Sequence, residues 1–373
     1  MPARLPRPAL IALALSFSTP ALHALDLVLP TDNKALFEGH PEEFYQFVDR
    51  TLPSGEKTTP WEAGQFGFVR NEAHLTNGET IFTRFHEGLD IKPMHRDAKD
   101  EPTDEVRSIA AGEVVYASLI AGHSNYGKYV VIRHDWGEGP FCSLYAHLSE
   151  IKCAVGDKLA AGAPFAIMGH TGDGLDRRRS HVHVELDLFL SSRFGEWHDG
   201  TASSPNFHGN YNGMNLVGVN LATVYQAHAK DPNVSPAALV KSAEPYFRVA
   251  VPGLAEMEIL KSYPWLCATP IPAVPPQSWQ VTFTAWGLPI KIEPANEPVA
   301  EPQVVWVKPS TSPHFSLSRH LLNGLGSTAK LSGDGEAYVR LTCGMENIRK
   351  AKPVVSSTKD NAPAPAKRKK RKA

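Results

Sequence analysis

Five side chains of this 373-residue chain have the chemistry to hold or serve a metal ion, and they fall in three short clusters. His86 and Asp90 lie in Phe85-His86-Glu87-Gly88-Leu89-Asp90, His147 in Leu144-Tyr145-Ala146-His147-Leu148, and His181 and His183 in His181-Val182-His183-Val184-Glu185. Neutral imidazole and carboxylate are what a catalytic zinc takes from a protein, three groups with the fourth place left for water. The pattern points to metal-assisted hydrolysis.

The elements that carry these groups constrain how they meet. As His-Glu-x-x-Asp on a helix, residues 86 and 90 share a face and Glu87 becomes a general base. Gly88 in the middle, Pro93 just after and β-type sequence on both sides argue against that helix. A straight strand would hold His86 and Asp90 roughly 13 Å apart, so the chain is expected to bend at Gly88. His181 and His183 are two apart, and in a strand both imidazoles face one groove while Val182, Val184 and Leu186 face a core. From Glu105 onward, short runs rich in Val, Ile and Tyr are separated by Gly, Asn and Asp turns. They predict strands at Val106–Ala110, Gly112–Ala117, Lys128–His134, Phe141–Ala146, Asp157–Leu159 and Phe165–Met168.

These boxes carry a family resemblance. His86-Glu87-Gly88-Leu89-Asp90 fits a His-x-Gly-x-Asp box, Tyr145-Ala146-His147-Leu148 a Tyr-x-His-Leu box, and His181-Val182-His183 with Glu185 a His-x-His box. Together, in this order, they resemble the lysostaphin/LytM-type zinc endopeptidases that cut peptidoglycan peptides. Ile109 to Val115, Asn125 to His134, Val155-Gly156-Asp157 and Gly169-His170-Thr171-Gly172 are similar to that family too, and the likeness covers residues 86 to about 187. It implies a mainly β fold, an antiparallel β-groove domain of barrel-sandwich-like form. It also implies one Zn2+ held by His86, Asp90 and His183, with His181 as general base and His147 as transition-state stabiliser, two roles that could be exchanged. Peptidoglycan is the implied partner, by cleavage of its peptide cross-links; a catalytically silent LytM-type domain that activates other wall hydrolases is the alternative, and a peptidase for protein substrates a second.

The chain departs from the family in two places. Lys92 to Asp104 is longer and more charged than the usual connection, and Arg177-Arg178-Arg179 directly precedes the last box. Those arginines are candidates for a substrate carboxylate, or a solvated loop. His95, His123, His134 and His170 are expected to be structural or exposed.

Around this domain, assigned to residues 85–229, the chain divides further. Arg4 and Arg7, an apolar run from Ala9 to Phe17, and Ala21 and Ala24 have the layout of a signal peptide, residues 1–24, removed near Ala24. That implies export to a periplasm or the extracellular space, with no transmembrane anchor left after removal. Residues 25–84 read as a lead-in packed on the catalytic domain, with a helix from Pro41 to Asp49; a propeptide that plugs the metal site is the alternative. Residues 235–350 read as a small β-rich region with a helix from Pro236 to about Phe247 and strands at Arg248–Val251, Trp279–Trp286, Pro289–Ile292, Val304–Val307 and Ala337–Cys343. Residues 351–373 end in six consecutive cations, Lys367 to Lys372, and are expected to be disordered and suited to an anionic cell-surface polymer. The net charge of −1 gives no whole-chain attraction to nucleic acid, and none is expected as partner. Export permits disulfides, and a sequence-local pairing would join Cys142 to Cys153 and Cys267 to Cys343.

Overall fold

A computed structural model describes residues 25–346 except Pro53, Thr76, Asn77 and Ser203. The signal-peptide segment and the basic tail lie outside the described residues. The fold is mainly β, with antiparallel sheets.

Its centre is a seven-stranded sheet. The strands are β1 (Leu89–Ile91), β2 (Gly112–Ser118), β3 (Tyr129–Asp135), β4 (Pro140–Ala146), β5 (Lys158–Leu159), β6 (Val182–Phe189) and β7 (Leu216–Val219). Neighbours run β5-β2-β3-β4-β6-β7, and β1 joins the flank of β6 ahead of β7. The sheet stays open; it is not a closed barrel. Along β6, Val182, Val184, Leu186 and Leu188 enter the main core, while His181, His183, Glu185 and Asp187 take the opposite face. Every residue from Val182 to Leu188 is buried, so the β6 face that carries the histidines is itself covered. A three-stranded sheet, Glu105–Arg107, Pro164–Ile167 and Glu150–Ile151, completes the domain and adds Val106 and Phe165 to the same core.

Sequence before this domain lies along its edge. Val28 N donates to Ile109 O and Gln46 N to Asp90 O, so the lead-in continues the pairing of β1 outward. The helix expected at Pro41–Asp49 ends at Phe44, because Tyr45 takes extended backbone and forms a bridge with Ile91. A hairpin of Gly67–His74 with Thr80–His86, not read from the sequence, leads directly into the first metal box.

After it, β8 (Phe247–Pro252), β9 (Ser278–Phe283), β10 (Pro289–Ala295) and β11 (Gln303–Val307) form a sheet in the order β10-β9-β8-β11. The helix starting at Pro236 is capped by Ser235 Oγ on Ala238 N, and it stops at Lys241 because Phe247 begins β8. Residues Ala337–Cys343 are helical, not a strand. They end the helix Gly333–Cys343, which Ser332 caps on Gly335 N and Gly344 closes at φ 70°. Those caps and the Glu336–Arg340 pair outweigh the β-branched composition that suggested a strand. Apolar side chains of both sheets form one continuous core. All four cysteines are free thiols, so neither of the sequence-local disulfides is formed.

Candidate metal centre

Strand pairing explains how residues 90 and 183 meet: His183 sits directly opposite Asp90 across the β1–β6 ladder. His86 ends the preceding strand, and the chain bends at Gly88 to turn it back over Asp90. Only glycine fits that bend, since a Cβ there would lie 2.5 Å from Val184 O and 2.9 Å from His183 Cε1.

The result is a tight cluster. His86 Nε2 is 3.0 Å from Asp90 Oδ1 and 3.0 Å from His183 Nδ1, and His183 Nδ1 is 2.9 Å from Asp90 Oδ1. All three residues are buried, 2–5% exposed. Their outer atoms are already held. His86 Nδ1 faces Gln65 O at 2.8 Å, and His183 Nε2 faces Glu185 Oε1 at 2.6 Å. With those nitrogens donating, His86 Nε2 and His183 Nδ1 turn lone pairs toward Asp90 Oδ1. Three acceptors pressed together in a buried place call for a cation between them. Donors about 2.0–2.1 Å from a tetrahedral zinc lie roughly 3.3 Å from one another, so the set fits zinc.

Charge supports the same reading. Burial opposes ionisation of Asp90, but His86, His181 and Arg70 hold its carboxyl well below the usual range. Burial likewise works against a charged His183, yet hydrogen bonds to Asp90 and Glu185 raise it to about 9, so without a metal a proton occupies Nδ1, where a cation would otherwise sit. His86, with burial dominant, is lowered.

His147 and His181 stand beside the cluster, their rings 4.7 Å apart. His147 Nδ1 faces Thr171 O at 2.8 Å and His181 Nδ1 faces Arg179 O at 2.7 Å, so each ring turns its Nε2 away from that anchor. His181 Nε2 lies 3.3 Å from Asp90 Oδ1. His147 adopts φ 63°, uncommon for a residue with a side chain, and its N–H is fixed on Tyr126 O. Burial, reinforced by His181 and His183, depresses its basicity.

Several supporting groups were not legible in the boxes. Arg70 reaches Asp90 Oδ2 at 2.5 Å and donates from Nε to Ala63 O. Tyr126 donates to Glu185 Oε1 at 2.7 Å, the oxygen that also faces His183. Glu185 shares the histidine face of β6 by strand alternation, while Gln65 lies just before, and Arg70 within, the hairpin the sequence did not reveal. Next along that face, Asp187 is fully buried, and burial with the charge of Glu185 pushes its carboxyl well up.

Glu87 turns away from the cluster toward Arg319, 2.9 Å off. The three arginines are engaged too. Arg177 pairs with Glu101 and donates to Lys99 O, Arg178 pairs with Asp49 and lies over the Phe47 ring, and Arg179 donates to Gly174 O. Glu101 also takes His170, so the long 92–104 connection docks on the arginine turn and the two departures from the family form one feature. His134 is a core residue, bonded to Ala111 O and Ser143 Oγ.

Residues 84–192 match peptidase family M23. That segment is where the chain is similar to the M23 peptidases. No curated protein matches the chain significantly. Among solved structures similar to it is a variant catalytic domain of the prophage-encoded M23 protein EnpA from Enterococcus faecalis, at 24% identity over 28% of this chain and 70% of that one, TM-score 0.23. A zinc-containing peptidase from Vibrio cholerae is similar at 21% over 37% and 42%, TM-score 0.22. The catalytic domain of lysostaphin from Staphylococcus simulans is similar at 19% over 41% and 84%, TM-score 0.25. No helix among the described residues is long and apolar enough to cross a membrane.

Proposed function

We propose that this protein is an exported zinc metalloendopeptidase that hydrolyses peptide bonds in peptidoglycan cross-links. The observation that carries the reading is the convergence of His86 Nε2, Asp90 Oδ1 and His183 Nδ1 within 2.9–3.0 Å, with two further imidazoles beside them. Those three atoms would hold the zinc. When bound, zinc supplies Lewis acidity, which polarises a carbonyl and acidifies water.

The chain's own groups do the rest. His181, anchored at Nδ1 by Arg179 O, accepts a proton at Nε2 as general base and returns it to the leaving nitrogen. His147, anchored at Nδ1 by Thr171 O, stabilises the negative charge that builds on the scissile carbonyl oxygen when its Nε2 also carries a proton to donate. Glu87, paired with Arg319, takes no part in proton transfer. The arginine turn, its cations already paired, serves to hold the 92–104 wall and to aim Arg179 O. Residues 1–24 direct export, and the cationic end of the chain holds the enzyme near anionic wall polymers.

The test is digestion of purified peptidoglycan by the mature protein, with and without a chelator. Zinc-dependent release of peptides is expected, abolished in His183→Ala and, at saturating zinc, retained in Glu87→Gln. Undiminished release from His183→Ala would remove the ligand assignment. Retained wall binding with no release from the zinc-loaded wild type would make the protein a silent activator instead.

A further inference from the structure

The turn that follows the short helix His314–Leu317 holds two consecutive non-glycine residues in the left-handed region, Arg319 at φ 50° and His320 at φ 67°. Side chains disfavour this backbone, and it persists where neighbours over-determine it. Here they do. His320 N donates to Phe315 O, its ring stacks on Phe315 with centroids 4.2 Å apart, and its carbonyl accepts from Ser332 Oγ at 2.6 Å. Ser318 Oγ ties His314 O to Leu322 N.

What this turn delivers is one side chain. Arg319 lies 2.9 Å from Glu87 Oε1 and 5.6 Å over the Phe85 ring, and so grips the two residues that flank His86. Trp286, also from the C-terminal unit, stacks on Phe85 at 5.4 Å and donates to Gly218 O. The bend between His86 and Asp90 is pinned from beneath as well: a Cβ on Gly218 would meet Glu87 O at 2.7 Å. Gly88 offers nothing to hold, so Glu87 is the handle by which the bend can be gripped from outside the sheet.

We infer that Arg319 is a positioning residue, through which the C-terminal unit fixes the bend that brings His86 and Asp90 to one point. The inference rests on the zinc reading above. Arg319 approaches no substrate-facing nitrogen of His147 or His181; it acts through Glu87.

The mature protein is tested by competition with a chromophoric chelator for zinc and by thermal unfolding of the metal-free form, in wild type, Arg319→Gly, Glu87→Gln and the double variant. Loss of positioning weakens zinc in both single variants, by about tenfold, as for other outer partners of metal ligands, and the double variant falls no further. Charge alone would drive them apart: removing the cation would tighten zinc and removing the carboxylate would loosen it. Glycine adopts the left-handed region freely, so the metal-free Arg319→Gly protein is expected to melt no lower than wild type. Zinc binding unchanged or tightened in Arg319→Gly overturns the inference, and so does a loss that merely follows a lower melting temperature. A wild-type protein that takes up no zinc at all overturns the zinc reading and this inference with it.

Discussion

Glu185 offers the sharpest test of the metal centre, because it holds His183 from behind. Its Oε1 accepts from His183 Nε2 at 2.6 Å and from Tyr126 OH at 2.7 Å, and the residue is 1% exposed. The carboxylate takes the Nε2 proton of His183, turns Nδ1 toward the cation place and adds negative charge beside it, and these effects on zinc outweigh the proton it also helps His183 to hold. Glu185→Ala removes the bond and the charge. A hydrogen bond to a charged group contributes about 1.5–3 kcal/mol, which at about 1.4 kcal/mol per decade is a loss of roughly 10- to 100-fold in zinc affinity. Glu185→Gln keeps an acceptor and loses the charge, which leaves a neutral bond of about 0.5–1.5 kcal/mol, so its loss is about tenfold. Tyr126→Phe keeps the charge and removes one donor to it, and is expected to cost a few-fold. Chelator competition on the mature protein should therefore rank zinc affinity as wild type, Tyr126→Phe, Glu185→Gln, Glu185→Ala. Affinity in Glu185→Ala within twofold of wild type, with a folded protein, would refute the assignment of His183 Nδ1 as a ligand held from behind by this carboxylate.

Three other outcomes are expected. His181→Ala and His147→Ala should each lower peptidoglycan turnover by about 10²–10⁴ while zinc stoichiometry, read by elemental analysis, stays at that of wild type; loss of zinc would make them ligands. Gly88→Ala forces a Cβ to 2.5 Å from Val184 O and 2.9 Å from Glu185 Cγ, and should lower the urea midpoint by the equivalent of about 1–3 kcal/mol together with zinc affinity. Burial lowers His134 to about 4 in the folded protein, against about 6.5 unfolded. Between these values the unfolded chain takes a proton that the folded one refuses, so stability falls as pH drops from 6.5 toward 4, by about 3 kcal/mol in full. Urea midpoints at pH 7 and pH 4.5 should differ less in His134→Gln than in wild type.

The central sheet was legible because its signals are local. Alternation at His181–Leu188 and the β-branched runs bounded by glycine and asparagine set strands that form within a residue or two of the expected places, Val106–Ala110 apart, where the ladder covers only Glu105–Arg107. The bend at Gly88 followed from distance alone, since His86 and Asp90 cannot share an ion along a straight strand. The hairpin Gly67–His74 with Thr80–His86 escaped notice because a bulge between Phe68 and Arg70 breaks its alternation. Residues 337–343 misled for the opposite reason: their β-branched composition was read without the Ser332 and Gly344 caps that were in plain view. Arg70 and Arg319 could not be read at all, since an arginine far along the chain shows no sign of which carboxylate it will meet.

Those two arginines say something about what the centre needs. A cation beside the cluster works against a second cation, so neither Arg70 at Asp90 Oδ2 nor Arg319 at Glu87 would favour zinc by charge. Their value has to lie in geometry. Arg70 occupies Asp90 Oδ2 and leaves Oδ1 as the oxygen that faces His86 and His183; Gln65 O sets the tautomer of His86; Glu185 sets that of His183. Gln65 and Arg70 precede the segment that matches the family, and Arg319 follows it. Two of the three donors are thus oriented from before the matching segment and the third from within it. A segment cut to residues 84–192 would keep all three donors and lose the groups that aim two of them.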